Sequence, residues 1–456
     1  MIPYSTYRTS SCDWIDRIPA NWRAQRIKSV FGLRDERNYK PLNEVNLISL
    51  YTGLGVRQHK DIEHTTGNKA RNADGYKVVY PDDIVVNILL CWMGAIGRSD
   101  YHGVTSPAYD IYKPKTTEIN TQYYNYLMRT PIFAQQCYKV GKGIMAMRWR
   151  TYSPQFSNIV IPVPPRDEQD QIVRFLDWKV SSINKLIRIR KRQIEELEAI
   201  KRSSIGYLVM GQAQSIPQRD TEVNWVKTIP AHWNEKTLIQ VAEEQQIKNA
   251  GMVEDNLLSL SYGKIINKDI NTTDGLLPSS FEGYQIVHDG NIILRLTDLQ
   301  NDHKSLRTGL VTQTGIITSA YTCLKVRHNI LPEYLQLQLH VADLCKVFYG
   351  MGGGVRQSIG FTEIRKLVIA IPPVEEQQYI LDRVHGIEKP INCAIQNIRD
   401  IISELEDLKT RLISDAVTGK IDVRGIEIPE YEFVDEDNDN VDENLEQGAD
   451  EPPKEE

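Results

Sequence analysis

The chain contains one pattern twice, and that repetition limits what it can fold into more than any single motif does. Residues 158–172, NIVIPVPPRDEQDQI, return as residues 366–380, KLVIAIPPVEEQQYI, in register at an offset of 208. IPANW at 18–22 returns as IPAHW at 229–233, at an offset of 211. Such a period is far longer than the roughly 20–50 residues of a solenoid repeat and suits a duplicated domain. Two copies of one module on one polypeptide imply a pseudo-two-fold object, fitted to a partner that itself offers two half-sites.

Each copy reads the same way. It opens on a tryptophan-bearing segment, with Trp14 and Trp22 in the first and Trp225 and Trp233 in the second. Their matched positions predict core packing against the helix ends rather than base stacking. A mixed, β-rich region follows. GYKVVYPDDIVVN at 75–87 parallels GYQIVHDGNIILR at 283–295, and both read as β-branched runs broken by a turn. Helical stretches are expected near residues 122–139 and 332–348. A glycine-bearing loop then precedes a strand that runs into a proline pair, Pro164-Pro165 or Pro372-Pro373. Proline fixes φ and disfavours helix in the residue before it, so a rigid boundary is expected there.

After each proline pair comes a long apolar periodicity. Ile172, Leu176, Val180, Ile183, Ile187, Ile194 and Leu197 recur at three- and four-residue steps, as do Ile380, Val384, Ile391, Ile395, Ile398, Ile402, Leu405 and Leu412. Sustained spacing of this kind with charges between is a coiled-coil signature. Gly211 and Gly419 stand at matched helix ends, where C′ glycines are common. The expected fold class is therefore α+β: two duplicated mixed β-rich domains separated by two long helices that pair as an antiparallel coiled coil, with a pseudo-two-fold relation. Ile172, Leu176, Ile183, Ile187, Ile380, Val384, Ile391 and Ile395 are its expected partner-binding positions.

The net charge of −6 hides an uneven distribution. Residues 427–456 hold fourteen Asp/Glu and one Lys, while residues 21–160 hold nineteen Lys/Arg and eleven Asp/Glu. The first module is thus a plausible polyanion binder, and the second, with thirteen against fourteen over 233–371, is near neutral. The six cysteines form no CxxC pair, which fits free thiols rather than a disulfide frame or a zinc site. No apolar run approaches the roughly 18 residues of a membrane span, and the opening MIPYSTYRTS lacks an export signal, so a cytoplasmic location is expected.

Taken in order and doubled, these motifs resemble the DNA-specificity subunit of type I restriction–modification systems over about residues 13–424. DWIDRIPANW and NWVKTIPAHW resemble the family's segment before each target-recognition domain. IPVPPRDEQDQIV and IAIPPVEEQQYIL resemble its junction between domain and helix, and TGKIDVRG at 418–425 resembles its ending of the second helix. Met210-Gly211-Gln212 departs from the second copy's Thr418-Gly419-Lys420, and the acidic tail is not expected from the family.

The resemblance implies a first target-recognition domain at 1–165, a helix at 166–212, a second domain at 213–373 and a helix at 374–424; composition alone marks 425–456 as an acidic disordered tail. The resemblance implies no catalysis and no cofactor on this chain. S-adenosylmethionine, ATP and Mg²⁺ are expected on partners, namely two methyltransferase subunits and motor-nuclease restriction subunits. Double-stranded DNA is the expected ligand, read as a bipartite asymmetric target.

Base edges need fixed donors and phosphates need Lys, Arg or exposed amides. The glycine loops suit backbone approach to DNA, which singles out Lys142, Arg148 and Arg150 in the first copy and Arg356 and Gln357 in the second. Arg57, Lys60, Lys69, Arg71 and Arg98 are further candidates in the first module, and Lys304, Arg307 and Lys325 in the second. A solvated surface charge is the plain alternative for any one of them.

Other chemistry finds little support. Pro81-Asp82 with Asp177-Trp178-Lys179 has the letters of a nuclease, but its second half lies on the expected coiled coil and has no repeat. A base-methylating loop needs an aromatic after its proline pair, where Arg166 and Val374 stand here. GxxxxGK[ST] is absent, and the histidines form no ligand pair. The alternative to a specificity subunit is a stand-alone DNA-binding scaffold or antirestriction decoy, motivated by the tail.

Overall fold

The computed structural model describes residues 2–61, 72–143, 149–212, 216–270, 280–299, 306–327, 329–351 and 358–435. The chain divides into two compact units, Met1–Arg192 with Ile398–Glu456, and Gln193–Asn397. The division falls within the two long helices, Arg166–Val209 and Val374–Val417, so each helix contributes one half to each unit.

In the first unit a four-stranded antiparallel sheet runs in the order Phe31–Arg34, Tyr109–Pro114, Ile84–Asn87, Ile96–Arg98. The central strand Ile84–Asn87 is buried along its length, and Tyr109–Tyr112 of its neighbour are buried before that strand runs out to the exposed Lys113. The sheet packs on helices Thr121–Met128 and Pro131–Val140. Each has a reason to start where it does. The Asn120 side chain accepts from the N–H groups of Gln122 and Tyr123, and Thr130 caps the second helix with Pro131 in its first turn. The strand Val160–Val163 pairs with Arg23–Arg26, returning the chain to its own beginning before the long helix starts.

The second unit repeats that strand order as Ala242–Glu244, Thr322–Val326, Ile292–Leu294, Thr308–Leu310, backed by the helix Pro332–Leu344. Here Val368–Ile371 pairs with Asn234–Thr237 before the second long helix.

The repeated motifs turn out to be joints. Gln169 Nε2 donates to the Pro164 carbonyl at 2.9 Å, and its Oε1 accepts from the Asn120 amide at 2.9 Å. Gln377, its repeat, donates to the Pro372 carbonyl at 2.9 Å and accepts from the Leu331 amide at 2.8 Å. Each glutamine thus satisfies backbone groups that proline geometry strands at a helix start. The far end of a long helix is held equally specifically. Tyr123 donates to the Val417 carbonyl at 2.8 Å in the first unit, and Tyr334 to the Val209 carbonyl at 3.2 Å in the second. Gly419 lies against Pro19 and Trp22, and Gly211 against Pro230 and Trp233. The opening segment of each unit is therefore locked to the end of a long helix. Trp22 and Trp233 are buried there, as core packing required.

Within the first unit the helix halves meet in reversed sequence order. Gln171 donates to the carbonyls of Val423 and Ile426, whereas Asn184 accepts from Lys409 at 3.4 Å. The second unit has the same sense: Lys201 donates to Asn392 at 3.1 Å, while Ile205 and Leu208 share a cluster with Ile380, Leu381 and Val384. Among the described residues no helix is long and apolar enough to cross a membrane.

Two expectations are corrected. The tail does not begin as a disordered segment at 425. Ile426 and Ile428 pack against the first unit's core and Val434 is buried; the stretch carries five hydrophobic side chains that its acidic composition concealed, and residues 436–456 lie outside the described residues. Secondly, the proposed partner-binding positions face inward. Ile172, Leu176, Ile183 and Ile187 are buried in the first unit, and Ile380, Val384 and Ile395 in the second, with Ile391 half-buried. Periodicity reports an apolar face, not what covers it.

Candidate nucleic-acid interface

The glycine loop of the first unit is built on the end of the helix Pro131–Val140. Gly141 follows it, and a side chain there would run into Thr151 and the Trp149 indole. The chain leaves at Lys142 and Gly143 and returns at Trp149, with Lys142 and Arg150 exchanging backbone hydrogen bonds of 2.8 and 2.9 Å. Both of their side chains are exposed. Next to Arg150 in the chain, Trp149 stacks on Tyr138 with ring centroids 4.7 Å apart and planes at 21°. The Trp149 indole N–H donates to the Tyr138 carbonyl at 3.0 Å, and Trp92 leans on the same tyrosine at 5.7 Å. Tyr138 remains about half exposed, with exposed Lys139 next to it. Two exposed cations on a loop that also carries a fixed aromatic pair can bind phosphate and offer a base a π-face. The platform went unrecognised in the sequence, although Trp149 sits inside the quoted loop; its partner Tyr138 lies on the helix Pro131–Val140, which ends before Trp149 is reached.

Other candidates are placed differently. Arg57 stands on the hairpin of Ile48–Tyr51 and Gly55–Gln58, with its guanidinium 2.9 Å from Asp435. Arg98 is clamped by Asp82 at 2.9 Å, by Asp100 and by Thr121. Arg57 and Arg98 are brought together with Arg129 on one groove of about 650 Å³. Lys60 is exposed in the turn His59–Asp61. In the second unit Lys325 is exposed on its strand. Lys69, Arg71, Arg148, Lys304, Arg356 and Gln357 lie outside the described residues. Arg307 is a correction. It is fully buried, and its guanidinium donates to the carbonyls of Arg295, Thr297 and Asp298. A side chain enclosed in this way holds a loop together and is not available to a duplex.

The nuclease letters do not form a site. Asp82 pairs with Arg98, Asp177 accepts from Tyr126 at 2.7 Å, and Lys179 lies over the Trp178 ring at 3.7 Å. Among the described residues no group of His, Cys, Asp and Glu is arranged to hold a metal ion. Burial pushes the Asp177 carboxyl above the usual carboxylate range. A raised folded value means that its contribution to stability is present at acid pH and is lost as pH rises through that value. Asp177→Asn is therefore expected to raise the unfolding midpoint at neutral pH, with the gain fading towards pH ~4, near the unfolded carboxylate value. Thermal unfolding across pH checks this; an unchanged or lowered midpoint at neutral pH rejects it.

Comparison with known proteins bears on the whole arrangement. Residues 308–406 match the type I restriction modification DNA specificity domain. The chain is 24% identical over 446 residues to the putative type I restriction enzyme MjaX specificity subunit of Methanocaldococcus jannaschii, covering 90% of this chain and 96% of that protein. It is 22% identical over 432 residues to the type I restriction enzyme MjaVIII specificity subunit of the same organism, covering 90% and 95%. Its fold is similar to that of a chain in a solved structure of the type I R-M system, with a TM-score of 0.61 at 14% identity, covering 89% of this chain and 99% of that one.

Proposed function

We propose that this chain, a member of the DNA-specificity family of type I restriction–modification systems, is the non-catalytic subunit that reads a bipartite DNA target and brings methyltransferase and motor-nuclease subunits to it. The observation that carries the reading is the doubled construction: one strand order and one set of joints, made twice, with different residues between them. Common scaffolds with private surfaces are what two unlike half-sites require. In this reading each β-rich region is a target-recognition domain, and the long helices form an antiparallel coiled coil that acts as spacer. Forty-four residues at about 1.5 Å each give a rod of about 65 Å, which limits the span to about 19 bp.

In the first domain Lys142 and Arg150 with the Tyr138–Trp149 platform supply the DNA-facing chemistry. Methyltransferase subunits take the outward faces of the helices rather than the buried heptad positions. Those faces expose Leu186, Ile189, Ile401 and Leu408 in the first unit, and Ile200, Tyr207 and Tyr379 in the second. S-adenosylmethionine, ATP and Mg²⁺ belong to the partners.

Co-expression with methyltransferase subunits tests this. The expected product is a complex with two of them per chain that methylates a split site. Replacing residues 23–160 with the matching region of another such chain is expected to change one half of that site only, as read by mapping methylated bases. A folded chain that forms no such complex, or a swap that alters both halves, overturns the proposal.

A further inference from the structure

We propose that the first unit carries a binding groove for an acidic peptide segment, that residues 428–435 of the same chain fill it, and that the carboxylates beyond Asp435 thereby compete with DNA for the cations of that unit. The inference rests on the DNA reading above and adds a ligand that the reading does not contain.

The docking is specific. Ser181 Oγ donates to the Glu432 carbonyl at 2.9 Å and accepts from the Val434 amide at 2.7 Å. Three residues further along the same helix, Asn184 Nδ2 donates to the Val434 carbonyl at 3.2 Å. Side chains at i and i+3 share a helix face, so the pair grips two alternate residues of an extended backbone as a neighbouring strand would. Val434 is buried between them, Lys185 lies 3.0 Å from Glu432, and Arg57 lies 2.9 Å from Asp435. Ser181 and Asn184 are themselves buried. The repeat offset places Lys389 and Asn392 at the corresponding positions of the second long helix, so the serine that makes two of the three backbone bonds has no counterpart there.

The segment ends at the groove that Arg57, Arg98, Arg129 and Lys409 line. The next residues, 436–456, hold ten Asp/Glu and one Lys. A tethered polyanion acts at an effective concentration in the millimolar range, which free phosphate backbone must outcompete. Non-specific DNA is held almost wholly by phosphate contacts, whereas a cognate site adds base contacts. The tail therefore weakens non-specific binding more than specific binding, and it does so most at low salt.

The test uses the full chain in complex with its methyltransferase subunits. One variant changes the ten carboxylates of 436–456 to Asn or Gln; a second is Ser181→Ala with Asn184→Ala. Affinity for a duplex without the target is measured from about 50 to about 200 mM salt. Neutralising the tail is expected to tighten this binding about tenfold at the lower salt, with a smaller gain on the cognate duplex. The double alanine variant is expected to lose amide-exchange protection at residues 432–434 and to move in the same direction. Unchanged affinity in the neutralised variant, with DNA still bound, overturns the inference and leaves the DNA reading standing. Residues 432–434 unprotected in the native chain overturn the groove. Absence of DNA binding in every variant overturns the inference and the DNA reading together.

Discussion

Arg307→Ala is expected to destabilise the second unit by about 3–5 kcal/mol, the range seen when a buried charged partner is removed from its network. The guanidinium donates to the carbonyls of Arg295 at 3.1 Å, Thr297 at 2.8 Å and Asp298 at 3.3 Å, and Nε donates to the Tyr349 hydroxyl at 3.0 Å. It also lies over the Tyr349 ring. Its own amide donates to Asp343 at 2.8 Å, tying the strand Thr308–Leu310 to the helix Pro332–Leu344. Alanine leaves a cavity and strips these carbonyls of a donor, in a place closed to water. Lysine keeps the charge but lacks the planar fork, so Arg307→Lys is expected to fall well short of rescue. Denaturant unfolding reads the effect. A loss below about 1 kcal/mol would mean that the side chain acts on the surface, where most substitutions change little.

Gly419→Ala is expected to cost about 2–4 kcal/mol, combining backbone strain with overpacking. Gly419 has a φ of +75°, in the left-handed region, and a Cβ there would collide with Pro19 and stand 3.1 Å from the Trp22 ring. The Pro19 ring is closed onto its own backbone and the Trp22 ring fills the core, so neither yields easily. Gly211 has the same geometry in the second unit, with a φ of +67° and a Cβ position 2.5 Å from Pro230 and 2.8 Å from Trp233. Gly206 is the control. It lies inside the first long helix with nothing near its Cβ position, so Gly206→Ala is expected to stabilise by about 0.5–1 kcal/mol. Equal effects at Gly206 and Gly419 would show that helix propensity, not the joint, sets the outcome.

The joints were the legible part of this protein. Gln169 and Gln377, Trp22 and Trp233, and the glycines after each helix all recur at 208 or 211 residues, because each serves a local need that any copy of the module has. A helix that starts on a proline pair leaves backbone groups to satisfy, and one that ends on a left-handed residue asks for glycine. The candidate site was half legible. Lys142 and Arg150 follow from a glycine loop with basic neighbours, and the structure brings them together. Tyr138 stacked on Trp149 does not follow, since Tyr138 lies on the helix Pro131–Val140 and Trp149 beyond its end, so helical spacing does not relate the two rings.

Arg307 and the heptad positions show the opposite limit. An arginine looks the same in a sequence whether it points at solvent or at four oxygens and a ring, and Ile172 reads alike against a partner or against its own core. What the residues alone established is the doubled plan, the long helices and their rigid ends, because periodicity, proline and glycine act over a few neighbouring residues. The assignment of each buried face to its cover, the burial of Arg307 and the docking of residues 428–435 on Ser181 and Asn184 were set by the fold, because they depend on groups at no regular spacing along the chain that meet only once the chain has closed on itself.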